Sequence, residues 1–283
     1  MIRLSAFSDE AAKDISGQIA ALKRNGISLM EIRGVDGKNV SSLTDAEAYE
    51  YKKILDENGI KVWSIGSPIG KVDIETDFGE YLEKVRRVCE LANIFGTDKV
   101  RMFSFFNAYE KREKVIEYLS KMVECANGYG VVLYHENEKD IYGDTVERVV
   151  DIMNSVPDMK FVYDPANFIQ VGEDSEKSLN ALHSKTDYFH IKDVISETGE
   201  LVPAGCGDGN VDELVRRISD DKVLTIEPHL AVFDSYKQID NTEMKLKYTF
   251  ESNGAAFDAA VNAIKKILTD NNYIERNGVF EKV

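Results

Sequence analysis

Cysteine, histidine and basic charge are all scarce in this chain, and each shortage closes off a line of interpretation. Three cysteines, Cys89, Cys125 and Cys206, lie far apart, are odd in number and never take a CxxC spacing. That usage fits reduced thiols in a cytosolic protein. Cys89 and Cys125 fall in helical patterns as packing residues, and Cys206 sits in a glycine loop with no base paired to it. Lys and Arg number 35 against 50 Asp and Glu, giving a net charge of −15. Nucleic-acid binding leans on basic residues that neutralise phosphates, so no nucleic-acid partner is expected. No apolar run approaches the ~20 residues needed to cross a bilayer. The chain begins almost at once with the strand-like IRLSAF and no charged-then-apolar leader. A soluble, cytoplasmic protein with no membrane partner is the expectation.

What the chain does have is alternation. Apolar strand cores at Ile2–Phe7, Leu29–Arg33, KVWSI, KVRMFSF, VVLYHE, MKFVYD, DYFHIKD and VLTIE alternate with helical patterns. The helices are expected near Asp9–Asn25 with Ser8 as cap, from the capping-box spacing Thr44–Glu47 to Asn58, and over Asp77–Phe95, Tyr109–Asn127, Asp144–Asn154, Ser175–Ser184, Val211–Ile218 and Ala255–Thr269. Short, wholly apolar strands are those of a parallel sheet covered on both faces. Eight of them in 283 residues predict a single-domain (β/α)8 TIM barrel over residues 1–283. One connection breaks the rhythm. Residues 230–253, with Phe233, Tyr236, Tyr248 and Phe250, form a long loop after the eighth strand, either a lid or a contact between copies in a homo-oligomer.

Four consecutive strands end on metal-binding side chains: Glu136, Asp164, His190 and Glu227, separated by 28, 26 and 37 residues. In a closed barrel, strand ends converge on one face, where active sites of this fold are built. Any one acidic strand-end residue is commonly a helix cap, and a lone inward histidine is commonly a satisfied structural group. Four on successive strands make a ligand set. Oxygen-rich ligation with one imidazole suits one Mn²⁺ or Mg²⁺, with Co²⁺ and Zn²⁺ as alternatives.

Around that set lie further candidates. Glu138 and His229 follow Glu136 and Glu227 by two residues, and Lys192 follows His190 likewise, which keeps each on its ligand's strand face. Glu138 and His229 would brace a ligand or touch substrate, and Lys192 would stabilise an oxyanion. Arg33 would reach a substrate phosphate, whereas Glu31 and Arg101 would form an ordinary ion pair. Trp63 and Phe7 are weighed as an apolar wall for a sugar against the commoner reading as core. The series Gly205-x-Gly207-x-Gly209 follows the seventh strand rather than opening a first βαβ unit, so it reads as a flexible flap and not a nucleotide loop.

The motifs HENE with YGDT (His135–Glu138, Tyr142–Thr145), YDPANF (Tyr163–Phe168), FHIKD (Phe189–Asp193), PAGCGDG (Pro203–Gly209) and IEPH (Ile226–His229) together resemble the xylose-isomerase-like barrel superfamily, in its sugar phosphate isomerase/epimerase branch. The resemblance implies a metal held by Glu136, Asp164, His190 and Glu227, and chemistry on a ketose, ketose phosphate or cyclitol. Epimerases of free ketohexoses in that branch carry an acidic residue, a histidine and an arginine where this chain has Tyr142, Asn167 and Ser196. The metal core therefore matches while the substrate shell, Asn167 included, differs.

The expected activity is an isomerase or epimerase that moves a proton through an enediolate, with Glu136 and Glu227 as the acid/base pair. A dehydratase or lyase using the same metal site is the first alternative, and a non-catalytic, metal-dependent sugar-binding protein the second. An apurinic endonuclease of the same superfamily would need further histidines on the third and fourth strands. SIGSP and RMFSFF supply none, and the chain has only four histidines.

Overall fold

A computed structural model describes residues 1–233 and 243–283. Eight parallel strands run β1 (Ile2–Ala6), β2 (Leu29–Ile32), β3 (Lys61–Gly66), β4 (Lys99–Met102), β5 (Val132–Glu136), β6 (Lys160–Tyr163), β7 (Tyr188–Ile191) and β8 (Lys222–Ile226). Each pairs with its successor, and β8 returns to β1 in register from Ile2↔Lys222 to Ala6↔Ile226. The sheet is therefore a closed barrel, as the strand count predicts.

Helices cover it: α1 (Ile15–Arg24), α2 (Asp45–Glu57), α3 (Phe78–Phe95), α4 (Arg112–Asn127), α5 (Val146–Ser155), α6 (Pro165–Gln170), α7 (Ser175–Leu182), α8 (Val211–Arg216) and α9 (Asn253–Asp270). Their starts follow local chemistry. Thr44 and Glu47 form the expected capping box on α2, and Asp77 caps α3 by accepting from Glu80 N–H. The first helix differs from expectation. Ser8–Glu10 is a separate buried 3-10 turn, and α1 begins only after Asp14, which accepts from Gly17 N–H. That turn directs Asp9 and Glu10 into the barrel mouth.

Strand periodicity of two sorts side chains into barrel and helix layers. Tyr188, His190 and Lys192 point inward from β7 and its extension; Tyr134 and Glu136 do so from β5. Leu29, Tyr134, Val162, Tyr188 and Val223 pack with Trp63 as an inner layer of their own, one level below the ligands. Outside the strands one continuous apolar core joins sheet and helices. The sequence pattern did not reveal the C-terminal hairpin β9 (Tyr273–Arg276) and β10 (Val279–Lys282). It adds antiparallel to the start of β1, Ile2↔Phe280, where β1 has not yet met β2.

At the opposite end, a small hairpin, Asp193–Val194 with Leu201–Val202, rises from β7. The later described part of the long connection docks on it: Leu201 N–H donates to the Lys245 carbonyl at 2.8 Å. Met244 and Leu246 pack with Ile169 beside Val194 and Leu201. This flank of the connection is thus a wall of the mouth. Phe233 is buried, Tyr248 is exposed, Phe250 packs against the core, and Tyr236 lies outside the described residues.

Candidate metal centre

Glu136, Asp164, His190 and Glu227 meet at the C-terminal mouth of the barrel. One ligand atom from each lies within 4.8 Å of the others, and all four residues are buried. Glu136 ends β5 and Glu227 follows β8. Asp164 follows β6, where Pro165 forces a new turn; its Oδ1 caps α6 by accepting from Asn167 N–H at 3.0 Å. Asn137 holds the Asp164 backbone from both sides at 2.9 Å. One carboxylate can therefore serve as both cap and candidate ligand, because capping uses one oxygen and leaves Oδ2.

His190 Nδ1 is the point of convergence. It lies 2.9 Å from Glu136 Oε1 and 3.1 Å from Glu227 Oε2. Each glutamate gives its other oxygen to an arginine: Glu136 Oε2 is 3.2 Å from Arg101 Nε, and Glu227 Oε1 accepts from Arg33 at 2.8 Å. Asp164 Oδ2 and Glu227 Oε2 are buried and accept no hydrogen bond of good geometry, although Lys192 Nζ and His190 Nδ1 lie at 3.0 and 3.1 Å. Buried oxygens without a donor, clustered around one imidazole nitrogen, are what a hard divalent cation requires. The residues fit such an ion.

Electrostatics sharpen the roles. Burial pushes the Asp164 carboxyl up, to about 7, against the pull of Lys192. Burial would raise Glu227 too, but Lys192 and His190 outweigh it and hold that carboxylate well below its usual range. Burial works against charge on Lys192, yet Asp164 and Glu227 keep it protonated. His229 is held well below the ordinary histidine value by burial and by Lys192, so its ring is neutral. Its backbone takes a left-handed φ of 47°, with its N–H donating to Glu10 Oε2 at 2.8 Å and its ring stacked on Phe233.

Directly outside the ligands lies a cavity of about 410 Å³ whose wall includes Lys192, Asn167, Glu138 and His229. Glu138 accepts from Lys71 at 2.9 Å, and Asn167 donates to the Asn137 carbonyl. These four predicted substrate residues do reach the mouth.

Two expectations need correction. Arg33 is not directed at a substrate phosphate: it is buried, bidentate to Asp9 at 3.0 Å, 3.1 Å from Glu10 and bonded to Glu227. Trp63 lines no sugar wall, since it packs edge-on to Tyr188 with Arg3 and Lys99 over its ring in the layer below the ligands. Glu31 and Arg101 form the expected buried ion pair at 3.9 Å, and Glu31 also meets His190 and Tyr188. Phe7 is buried edge-on against His190, with Arg33 and Arg101 over its face.

The glycine loop is also better anchored than a flap. Asp193 accepts from the N–H groups of Gly205, Gly207 and Gly209 at 2.8, 3.1 and 2.9 Å. A Cβ at Gly207 would stand 2.4 Å from Asp193 Oδ1. These glycines let the backbone close on the residue that follows Lys192. Sequence reading missed the parts played by Asp9, Glu10, Asn137 and Asp193. The signal available was only their adjacency to β1 and to the ligands, and adjacency does not distinguish a helix cap from a buried partner.

Eight parallel strands with a buried carboxylate–histidine cluster at their C-terminal ends define a TIM barrel whose site occupies the face used by enzymes of that fold. The chain belongs to the xylose isomerase-like TIM barrel family, whose sequence profile matches residues 19–244. It is 20% identical to a 3-dehydroshikimate dehydratase of Bacillus anthracis over 221 residues, 69% of this chain and 78% of that one. Among solved structures it is similar to a zinc-binding IolI protein (16% identity, TM-score 0.71, covering 95% of this chain and 99% of that one). It is likewise similar to the D-psicose 3-epimerase of Clostridium cellulolyticum H10 with D-tagatose (13% identity, TM-score 0.72, covering 94% and 98%). At such identities the structural likeness is one of fold. No helix among the described residues is long and apolar enough to cross a membrane.

Proposed function

We propose that this protein is a divalent-metal-dependent isomerase or epimerase acting on a ketose, ketose phosphate or cyclitol-type ketone. The observation that carries the reading is the convergence of Glu136 and Glu227, from separate strands, on either side of His190 beneath one polar cavity. A divalent cation held by Glu136, Asp164, His190 and Glu227 would supply Lewis-acid polarisation of a carbonyl and its neighbouring hydroxyl, acidifying the adjacent C–H.

Glu227 is the candidate acceptor of the proton, and Glu136, which meets the same imidazole nitrogen from another strand, is the group that would return one to the opposite face. Arg33 and Arg101 fix the far oxygen of each glutamate, so the near oxygens hold their aim. Lys192 offers an ammonium to the enediolate oxygen. Asn167, Glu138 and His229 supply donors and acceptors for substrate hydroxyls, and the hairpin after β7 with the 243–246 segment limits water at the mouth.

A dehydratase is the second reading, supported by the curated relative of that activity. It shares the deprotonation and adds departure of a β-hydroxyl as water, with its proton supplied by Glu136 or Glu227 and the Lys192 ammonium at the cavity wall stabilising the developing charge. Proton NMR in deuterated water, with Mn²⁺-, Mg²⁺- or Co²⁺-loaded protein and a panel of ketoses, ketose phosphates and inososes, tests both. Isomerisation labels a carbon and conserves the skeleton's oxygens, whereas dehydration produces a vinyl or aromatic signal. No exchange and no product across the panel and all three metals would leave the binding-protein alternative in its place.

A further inference from the structure

Strands β5–β8 carry all four candidate ligands, yet β2, which carries none, sends Glu31 into the same layer. Glu31 is completely buried. Its Oε2 lies 3.2 Å from His190 Nε2, and its Oε1 accepts the Tyr188 hydroxyl at 3.0 Å. Tyr188 and His190 are two apart on β7, so period-two geometry places both on the inward face, where one carboxylate spans them. The pairing with Arg101 is secondary: that guanidinium stands 3.9 Å from Glu31 but 3.2 Å from Glu136, and donates to the Ser67 carbonyl at 3.1 Å. Phe7 and Tyr188 flank the imidazole edge-on at 5.2 and 5.6 Å and restrict its rotation.

We propose that Glu31 is a positioning residue for the metal centre, accepting the Nε2–H of His190 so that the Nδ1 lone pair faces the cation. The inference rests on the reading that Glu136, Asp164, His190 and Glu227 hold a divalent ion. A carboxylate can only accept, so a histidine that shares Nε2 with Glu31 carries a proton at that nitrogen. On its other edge Nδ1 lies 2.9 Å from Glu136 Oε1 and 3.1 Å from Glu227 Oε2, so a divalent ion there would take the place of a proton at Nδ1 while the Nε2–H stays on Glu31. Tyr188 pins the far oxygen of Glu31 and keeps the carboxylate from turning away. A carboxylate behind a ligating histidine also strengthens its donation to the metal.

The test compares metal-stripped wild-type protein with Glu31→Gln, Glu31→Ala and Tyr188→Phe. Co²⁺ is titrated calorimetrically and by visible absorption, and folding is checked by circular dichroism. Wild type takes up one Co²⁺ per chain. Glu31→Ala weakens binding roughly 10- to 100-fold, the range typical for loss of such an outer partner. Glu31→Gln, which keeps an acceptor oxygen but no charge, falls in between, with a shifted Co²⁺ absorption band, and Tyr188→Phe loses a few-fold. A folded Glu31→Ala with wild-type affinity and spectrum overturns the inference. If that variant does not fold, Glu31→Gln decides, and wild-type affinity with an unshifted band rejects the role. Absence of Co²⁺ uptake by wild type instead brings down the metal reading itself, an outcome separate from any difference between variants.

Discussion

Arg33 donates to Glu227 Oε1 at 2.8 Å while both nitrogens of its other edge grip Asp9 at 3.0 Å, so one guanidinium ties the turn after β1 to the strand end of β8. Burial costs the guanidinium its water, and three carboxylates compensate: Asp9, Glu10 and Glu227. The arrangement decides which Glu227 oxygen faces the centre. It also explains why Glu10, pushed up to about 8 by burial, tolerates its position: Arg33 and the His229 N–H both face it.

Replacing Arg33 by Met should therefore do more than remove a hydrogen bond. Three buried acidic groups would lose their shared cation, and breaking such a buried network costs about 3–5 kcal/mol. The expected result in urea denaturation is a lower midpoint at an unchanged slope. Arg33→Lys, a single point charge in place of a fork, should recover part of the stability but leave Glu227 loosely held. An Arg33→Met protein as stable as wild type would contradict the network's place in the fold.

Asp193 gives a second test, this time of the glycine loop. Asp193→Ala strands the N–H groups of Gly205, Gly207 and Gly209, each an unsatisfied donor costing about 1–3 kcal/mol where it stays buried. Hydrogen exchange should show these three amides losing protection in the variant. Equal protection in both proteins would mean that the loop is ordered by something other than Asp193.

Stability toward acid should carry the signature of a different histidine. His135 points away from the barrel interior, its Nε2 3.0 Å from Ser104 Oγ, and Ser104 in turn accepts from Gly143 N–H at 2.7 Å. That serine is free to donate to a neutral ring, and burial lowers the His135 pKa from 6.5 to about 3. Below pH 6.5 the unfolded chain binds a proton that the native protein refuses until about pH 3. The native state therefore keeps this stabilisation above pH 6.5 and loses it as pH falls, by about 1.4 kcal/mol per unit. Asp164 and Glu10, raised to about 7 and about 8, act in the opposite sense. The measure is thus the difference between wild type and His135→Gln, which should widen in the variant's favour from pH 6 to pH 4. Parallel curves would place the proton elsewhere.

These pieces differ in how far the sequence reveals them. The cluster of four candidate ligands was legible because a strand end is a fixed place in a closed barrel, and 28, 26 and 37 residues are each about one β/α unit. Lys192, Glu138 and His229 followed from period two. Arg33 and Trp63 were misjudged for one reason: alternation gives the face of the sheet but not the depth along the axis. Trp63 lies a level too low, and Arg33 lies at the right level but is claimed by Asp9 and Glu10. Those two residues looked like the first turn of a helix, and only the Asp14 cap on Gly17 N–H shows where that helix begins.

Metal content follows from the donor count. Glu136, Asp164, His190 and Glu227 form one set; the other described grouping, Glu10, Glu227 and His229, already encloses Arg33. Elemental analysis after metal loading should approach one equivalent per chain, and Asp164→Ala or His190→Ala should abolish retention. Because the apolar core lies between strands and helices, away from the ligands, chelation should lower Tm only by the lost binding energy. Two or three tightly held ions, or unfolding on chelation at room temperature, would each refute this account.

The sharpest prediction concerns the two glutamates. Glu136 and Glu227 each present one oxygen to His190 Nδ1 and give the other to an arginine, so the centre is nearly symmetric about the imidazole. Glu→Gln at either position keeps the side chain's shape but removes its capacity to exchange a proton. Glu227→Gln would also turn an amide group toward Arg33 or toward the ligand side, so metal affinity must be measured alongside. With metal retained, each variant should lose about 10²–10⁴-fold in turnover, the usual contribution of a placed acid or base. The two should differ in what survives. If each glutamate serves one face of the substrate, one variant still washes the α-hydrogen of the substrate into deuterated water without forming product, and the other exchanges only from the product side. Full exchange from both sides in a metal-bound variant carrying both Glu136→Gln and Glu227→Gln would remove the two glutamates from the proton path and transfer the role to Lys192 or His229 at the cavity wall.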